Sequence, residues 1–184
     1  IMARHVVGVS AEELHAVRDA AYAIAEQAVP GGAGFNAALG DGVDVLMGGG
    51  ANHWTPYSAS NKGGRADGRD LTAELTAQGY SYVTTQSDLA KVSSGKLLGL
   101  FSPKSHLDYE LDRVAKGAAN TQPSLSEMTA KAIDLLSKNS QGYFLMVEGG
   151  RIDHALHGTN AKRALTDAVA LDEAVKTALG KVDL

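Results

Sequence analysis

The sequence predicts an α/β fold with a mostly parallel sheet flanked by helices. Short apolar runs alternate with helix-period segments along the whole chain. The runs starting at Val43, Lys96 and Tyr143 are nearly solid in apolar residues, as strands buried on both faces are. No internal repeat and no interdomain linker breaks the alternation, so residues 1–184 form one layered α/β domain or a fragment of one.

Val6–Val9 is a short β-like piece. Ser10 and Glu13 have capping-box spacing, and Leu14, Val17, Ala21, Ile24 and Ala28 follow at helical spacing until Pro30-Gly31-Gly32. Phe35–Leu39 suggests a second short helix. Val43–Met47 is a compact strand that breaks at Gly48-Gly49-Gly50. The segment from Ala51 to Gly68 is rich in Asn, Ser, Gly and Lys without periodicity, which predicts a long surface loop and the segment most prone to disorder. Asp70 caps a helix carrying Leu71 and Leu75, closed by Gly79. Tyr80–Thr85 is β-like, Ser87–Val92 a short helix, and Lys96–Phe101 a strand ending at Pro103.

His106–Gly117 is charged and weakly patterned. Pro123-Ser124 opens a helix with Leu125, Met128, Ala132, Ile133, Leu135 and Leu136 at core spacing, and Asn139–Gly142 turns the chain into the strand at Tyr143. The last helix, Ala161–Leu179, places Leu165, Val169, Val175 and Leu179 on its main apolar face, with Gly180 closing it.

Composition narrows the function classes. The formal net charge of −4, without a Lys/Arg cluster among aromatics, argues against a nucleic-acid surface. With no cysteine, disulfides, thiolate zinc sites and cysteine nucleophiles are excluded. No run reaches the roughly 20 apolar residues of a membrane span. No basic-then-apolar leader is visible, and the start at Ile1 suggests a processed chain or a fragment.

Chemistry concentrates in Glu148-Gly149-Gly150-Arg151-Ile152-Asp153-His154-Ala155-Leu156-His157, directly after the apolar run Tyr143–Val147. In open α/β sheets, function gathers beyond the carboxyl ends of strands. If a helical turn begins near Ile152, Asp153 and His157 share one face and can converge on an ion. Carboxylate plus neutral imidazole suits zinc with an open position, and carboxylate alone suits magnesium. The plain alternative is that Asp153 caps a helix, Glu148 is a solvated strand end and the histidines are incidental. His154 faces away from His157 and suits a supporting or structural role. Gly48-Gly49-Gly50 lacks the Lys and Ser/Thr of a phosphate-binding loop, so it suggests a tight turn. His53 and Trp54 suggest loop packing, Asp41 and Asp44 turn and solvent positions, and Ser58, Ser60, Ser93 and Ser94 show no nucleophile elbow.

The stretch Leu145–His154 with His157 closely resembles the central metal motif of alkaline phosphatases. Asp44–Gly50, Arg65–Leu71, Gly99-Leu100-Phe101, Pro123–Thr129 and Leu136–Asn139 resemble further blocks of that family, in family order, over about 43–179. The resemblance implies that Glu148 is a magnesium ligand and that Asp153 and His157 are ligands of the first of two zincs, with Arg151 and His154 as possible supporting residues. It implies hydrolysis of phosphate monoesters through a phosphoserine, in a periplasmic or secreted homodimer. The Asp-Ser-Ala context of the family's nucleophile has no counterpart here, so the catalytic serine is not identified. Gly40-Asp41-Gly42 is a lookalike of an early metal turn in the wrong place, and Ser102 stands where animal members carry a calcium-site carboxylate. A middle portion of such an enzyme accounts for this pattern. Alternatives are an inactive metal-binding or structural fragment, and a related metal-dependent phosphodiesterase or sulfatase.

Overall fold

The structure, a computed structural model, describes residues 20–104 and 106–182. Val6–Val9, the Ser10/Glu13 capping box, Leu14 and Val17 lie outside the described residues. The chain divides into two compact units.

The first unit draws on Ile1–Val43, as far as described, and Ala51–Gln78. Residues 20–26 are helical (α1). Tyr22, Ala25 and Val29 are buried, whereas Ile24, expected on the apolar face, is 49% exposed. Ile24 lies about 200° around the helix from Tyr22, so one stripe cannot bury both. The expected helix at Phe35–Leu39 is a single 3-10 turn, Ala37–Leu39, whose cap Asn36 accepts from the Ala38 amide.

The segment 51–68 is a loop, as expected, with local structure of its own. Ala51–His53 is a 3-10 turn, and Pro56 and Arg65 form a parallel bridge. The Arg65 guanidinium, 1% exposed, donates to the Asp67 carboxylate and, at 3.0 Å, to the Tyr22 carbonyl. It also lies 5.3 Å from the Tyr22 ring centroid, and the Tyr22 hydroxyl donates to the Gly64 carbonyl. A buried cation is tolerable only when satisfied in this way, and the contacts that satisfy it tie the segment to Tyr22. Helix α2, Leu71–Ala77, starts as expected, with Asp70 accepting from the Thr72 and Ala73 amides. Leu71 and Leu75, one turn apart, are fully buried.

The second unit comprises Asp44–Gly50 and Gly79–Leu184. Among the described residues, its sheet has three parallel strands, β1 Val45–Gly48, β2 Ser81–Val83 and β3 Leu97–Leu100, in the order β1-β3-β2. The register pairs Val45 and Ser81 with Leu97 on either side. All four β3 residues are buried, which explains why Lys96–Phe101 looks like a solid apolar run. Around the sheet lie α3 (Gln86–Lys91), α4 (Glu110–Ala115), α5 (Leu125–Leu136), α6 (Arg151–His157) and α7 (Ala161–Leu179). Helix α5 has the full capping box of Ser124 and Glu127. The core joins Val83, Leu89, Leu97, Phe101, Met128 and Leu135.

Two expectations about burial are corrected here. Tyr143–Val147 joins no strand pairing among the described residues, and Phe144 and Met146 are 89% and 75% exposed. The segment stands off from β1 and α5, leaving an apolar cleft of about 380 Å³ that Val45, Met47, Met128 and Leu145 line. Without a ladder on either side, an apolar run has no partner to bury it. On α7, Leu165, Val169, Val175 and Leu179 are each about half or more exposed. The helix instead packs on α4, α5 and α6, burying Ala164, Asp167 and Ala174. It carries two stripes, and the small-residue stripe admits neighbouring helices closely.

Candidate metal centre

The turn Glu148-Gly149-Gly150 passes directly into α6. A Cβ on Gly149 would stand 3.0 Å from Ile152 Cδ1 and 3.3 Å from Leu171 Cβ, so glycine lets this turn lie against α7. The Ile152 amide donates back to the Gly149 carbonyl at 3.1 Å. Gly150 is the N-cap and offers no side-chain capping bond.

Asp153 and His157 then fall one helical turn apart. His157 Nε2 lies 3.4 Å from Asp153 Oδ1, with both side chains more than half exposed. This is the convergence expected from i, i+4 spacing. Glu148 is exposed and lies over Gly150, with its Oε1 3.5 Å from where a Gly150 Cβ would stand. Among the described residues, no group of three or more His, Asp or Glu comes together to hold an ion. The structure therefore brings Asp153 and His157 together and leaves Glu148 apart from them, at the lining of the 380 Å³ cleft.

The neighbouring residues are more engaged. His154 lies with its ring centroid 4.3 Å from that of His106, and its Nδ1 is buried without a hydrogen bond. Burial, aided by the Arg151 charge, holds the His154 imidazole below its ordinary pKa. The Arg151 guanidinium carbon lies 3.7 Å from the Tyr109 ring centroid. Arg163, 4.6 Å from the same centroid, pairs with Asp112 at 2.8 Å. Asp167 accepts from the Glu110 amide at 3.3 Å, and burial pushes its carboxyl above the usual range. Sequence reasoning missed His106, Tyr109 and Asp167. The one available signal was a lone carboxylate on the small-residue stripe of α7.

The remaining sequence candidates lie elsewhere. His53 belongs to the first unit, where its ring centroid is 6.0 Å from that of Tyr22 and burial lowers its pKa. Ser58 and Ser60 hydrogen bond to each other at 3.1 Å. Gly48-Gly49-Gly50 is a close main-chain approach: a Cβ on Gly49 would stand 2.9 Å from the His106 carbonyl carbon.

Chemically, one carboxylate and one imidazole on adjacent turns can hold two positions of a divalent ion and leave the others open. The sequence profile of the family described as alkaline phosphatase matches residues 10–183. The chain belongs to the alkaline phosphatase family. A membrane-bound alkaline phosphatase of Bombyx mori is 40% identical over 154 residues, which cover 77% of this chain and 27% of that protein. The Thermus thermophilus alkaline phosphatase superposes with a TM-score of 0.70 at 36% identity, over 84% of this chain and 29% of that one. A mutant alkaline phosphatase of the Antarctic bacterium TAB5, solved with Mg bound in its M3 site, superposes with a TM-score of 0.60 at 26% identity, over 89% of this chain and 39% of that one. The chain thus spans between a quarter and two fifths of the length of these alkaline phosphatases.

Proposed function

We propose that this chain carries one side of the metal centre of a phosphate-monoester hydrolase, with Asp153 and His157 as ligands of the first of two zincs and Glu148 as a magnesium ligand. The observation that carries this reading is the exposed Asp153–His157 pair at 3.4 Å on α6, in a chain of this family. The donor set fits: borderline zinc takes carboxylate and neutral imidazole, and hard magnesium takes carboxylate oxygen. When bound, zinc supplies Lewis acidity at a phosphoryl oxygen and activates an oxygen nucleophile.

The residues of this chain hold and orient. His157 must present neutral Nε2 to serve as a ligand, and the nearby Asp153 carboxylate supplies negative charge for the ion. The Gly149-Gly150 turn sets where Glu148 ends and α6 begins, which separates the magnesium carboxylate from the zinc pair. Arg151 and His154, packed against Tyr109 and His106, support α6 from the side. The reaction would proceed through a phosphoserine on a serine not identified here, in a periplasmic or secreted homodimer. Among the described residues, no helix is long and apolar enough to cross a membrane.

A second reading has its own support. The chain covers 27% of its Bombyx mori relative, and among the described residues no group of three or more His, Asp or Glu comes together to hold an ion. On that basis the 184-residue chain by itself is a metal-binding portion without turnover. Elemental analysis of the intact protein that carries this sequence tests the first reading. Asp153→Ala is expected to lower its zinc content, and unchanged zinc stoichiometry sinks the ligand assignment. Hydrolysis of p-nitrophenyl phosphate by the purified 184-residue chain contradicts the second.

A further inference from the structure

Helix α6 is only seven residues long and begins at a glycine with no capping side chain. Isolated helices this short are marginal in water, so its direction depends on what its first turn packs against. The first residue, Arg151, places its guanidinium carbon 3.7 Å from the centroid of Tyr109, and its Nε is buried without a hydrogen bond. An aromatic face attracts a desolvated guanidinium through its quadrupole.

The same ring has a second guanidinium, from Arg163 in the first turn of α7, at 4.6 Å, and Arg163 is tied to Asp112 of α4 at 2.8 Å. Tyr109 is itself the N-cap position of α4, and the next amide, of Glu110, donates to Asp167 of α7. Helices α4, α6 and α7 therefore meet at one phenol ring, on the turn of α6 that carries Asp153.

We propose that Tyr109 is a positioning residue for the metal centre: its ring holds Arg151, and through it fixes the direction in which α6 presents Asp153 and His157. The proposal rests on the assignment of Asp153 and His157 as metal ligands. Groups that orient ligands without touching the ion typically change metal affinity by roughly 10- to 100-fold when lost.

The test measures zinc affinity of the intact protein carrying this sequence, by competition with a chromophoric chelator. Visible absorption of its cobalt-substituted form gives a second readout that reports ligand geometry. Tyr109→Leu is expected to weaken zinc binding about tenfold and to shift the cobalt bands. Tyr109→Phe keeps the ring and should keep both properties.

Wild-type affinity and cobalt bands in Tyr109→Leu overturn the proposal. So does an equal loss in Tyr109→Phe, because the hydroxyl rather than the ring would then carry the effect. If Tyr109→Leu does not fold by circular dichroism, Arg151→Gln is read instead, with a comparable loss expected and no loss overturning the proposal. Asp153→Ala separates the two claims. Undiminished zinc binding there sinks the ligand assignment, whereas loss of zinc there with no effect at Tyr109 sinks only the positioning role.

Discussion

Gly49→Ala probes how closely the main chain folds back on itself after β1. The added Cβ would stand 2.9 Å from both the His106 carbonyl carbon and the Leu107 nitrogen, and 3.1 Å from His106 Cα. Carbon contacts settle near ~3.5–4.0 Å, so the methyl must be displaced by about 0.5 Å or more. The obstacle is backbone, which cannot swing aside as a side chain would. Overpacking of this kind costs ~1–3 kcal/mol. For a chain of this length each kcal/mol lowers the melting temperature by about 2–4 °C, which gives a fall of about 2–12 °C.

Its two neighbours calibrate the result. A Cβ on Gly48 meets nothing within 4 Å, so Gly48→Ala should stay within about 0.5 kcal/mol of wild type. Gly50 has φ +82°, and alanine there adds left-handed backbone strain of about 1–2 kcal/mol. Thermal unfolding followed by circular dichroism, with urea midpoints as a second measure, ranks the three. If Gly49→Ala melts with Gly48→Ala, the close approach to His106 and Leu107 is not there and the reasoning fails.

Asp167→Asn should stabilise the protein at neutral pH. Burial raises the Asp167 carboxyl above its ordinary range despite the Glu110 amide and Arg151. A raised folded pKa favours the fold fully below the unfolded value, and that contribution is lost as pH rises through the folded value. Asparagine keeps the acceptor without the charge, so the gain over wild type should be present at pH 7 and vanish below the ordinary aspartate range. Equal urea midpoint shifts at both ends refute this. Phe144→Ala should cost under about 0.5 kcal/mol, as expected of a surface position, because Phe144 is 89% exposed. A loss of several kcal/mol in urea titrations of the 184-residue chain would restore the buried strand.

What was legible in the sequence was local. Asp70 and Ser124 announce their helices because capping is a short-range hydrogen bond, and both caps form. The Asp153/His157 convergence follows from helical spacing alone. Burial was less legible, because an apolar run states only that it can be buried. Lys96–Phe101 found strands on both sides, while Tyr143–Val147 found none among the described residues. Helix α7 offered two stripes, and which one faces inward depends on helices α4, α5 and α6, distant in sequence or independently placed. Arg65 in the first unit and Tyr109 in the second were invisible for a related reason: their partners are Tyr22 in one case and Arg151 and Arg163 in the other, far along the chain.

The strand order β1-β3-β2 also imposes a timetable. Among the described residues, neither β1 nor β2 pairs with the other, and each has its ladder with β3. Both of these ladders wait until Leu97–Leu100 has been synthesised, and then both become available at once. Pairing Val45 with Leu97 closes a long stretch of chain, a step whose entropic cost precedes its reward. A substitution within β3 therefore acts on the rate of folding as well as on stability. Substitutions in β1 or β2 leave the other pairing intact, so β3 is where a defect would most prolong the exposure of aggregation-prone edges.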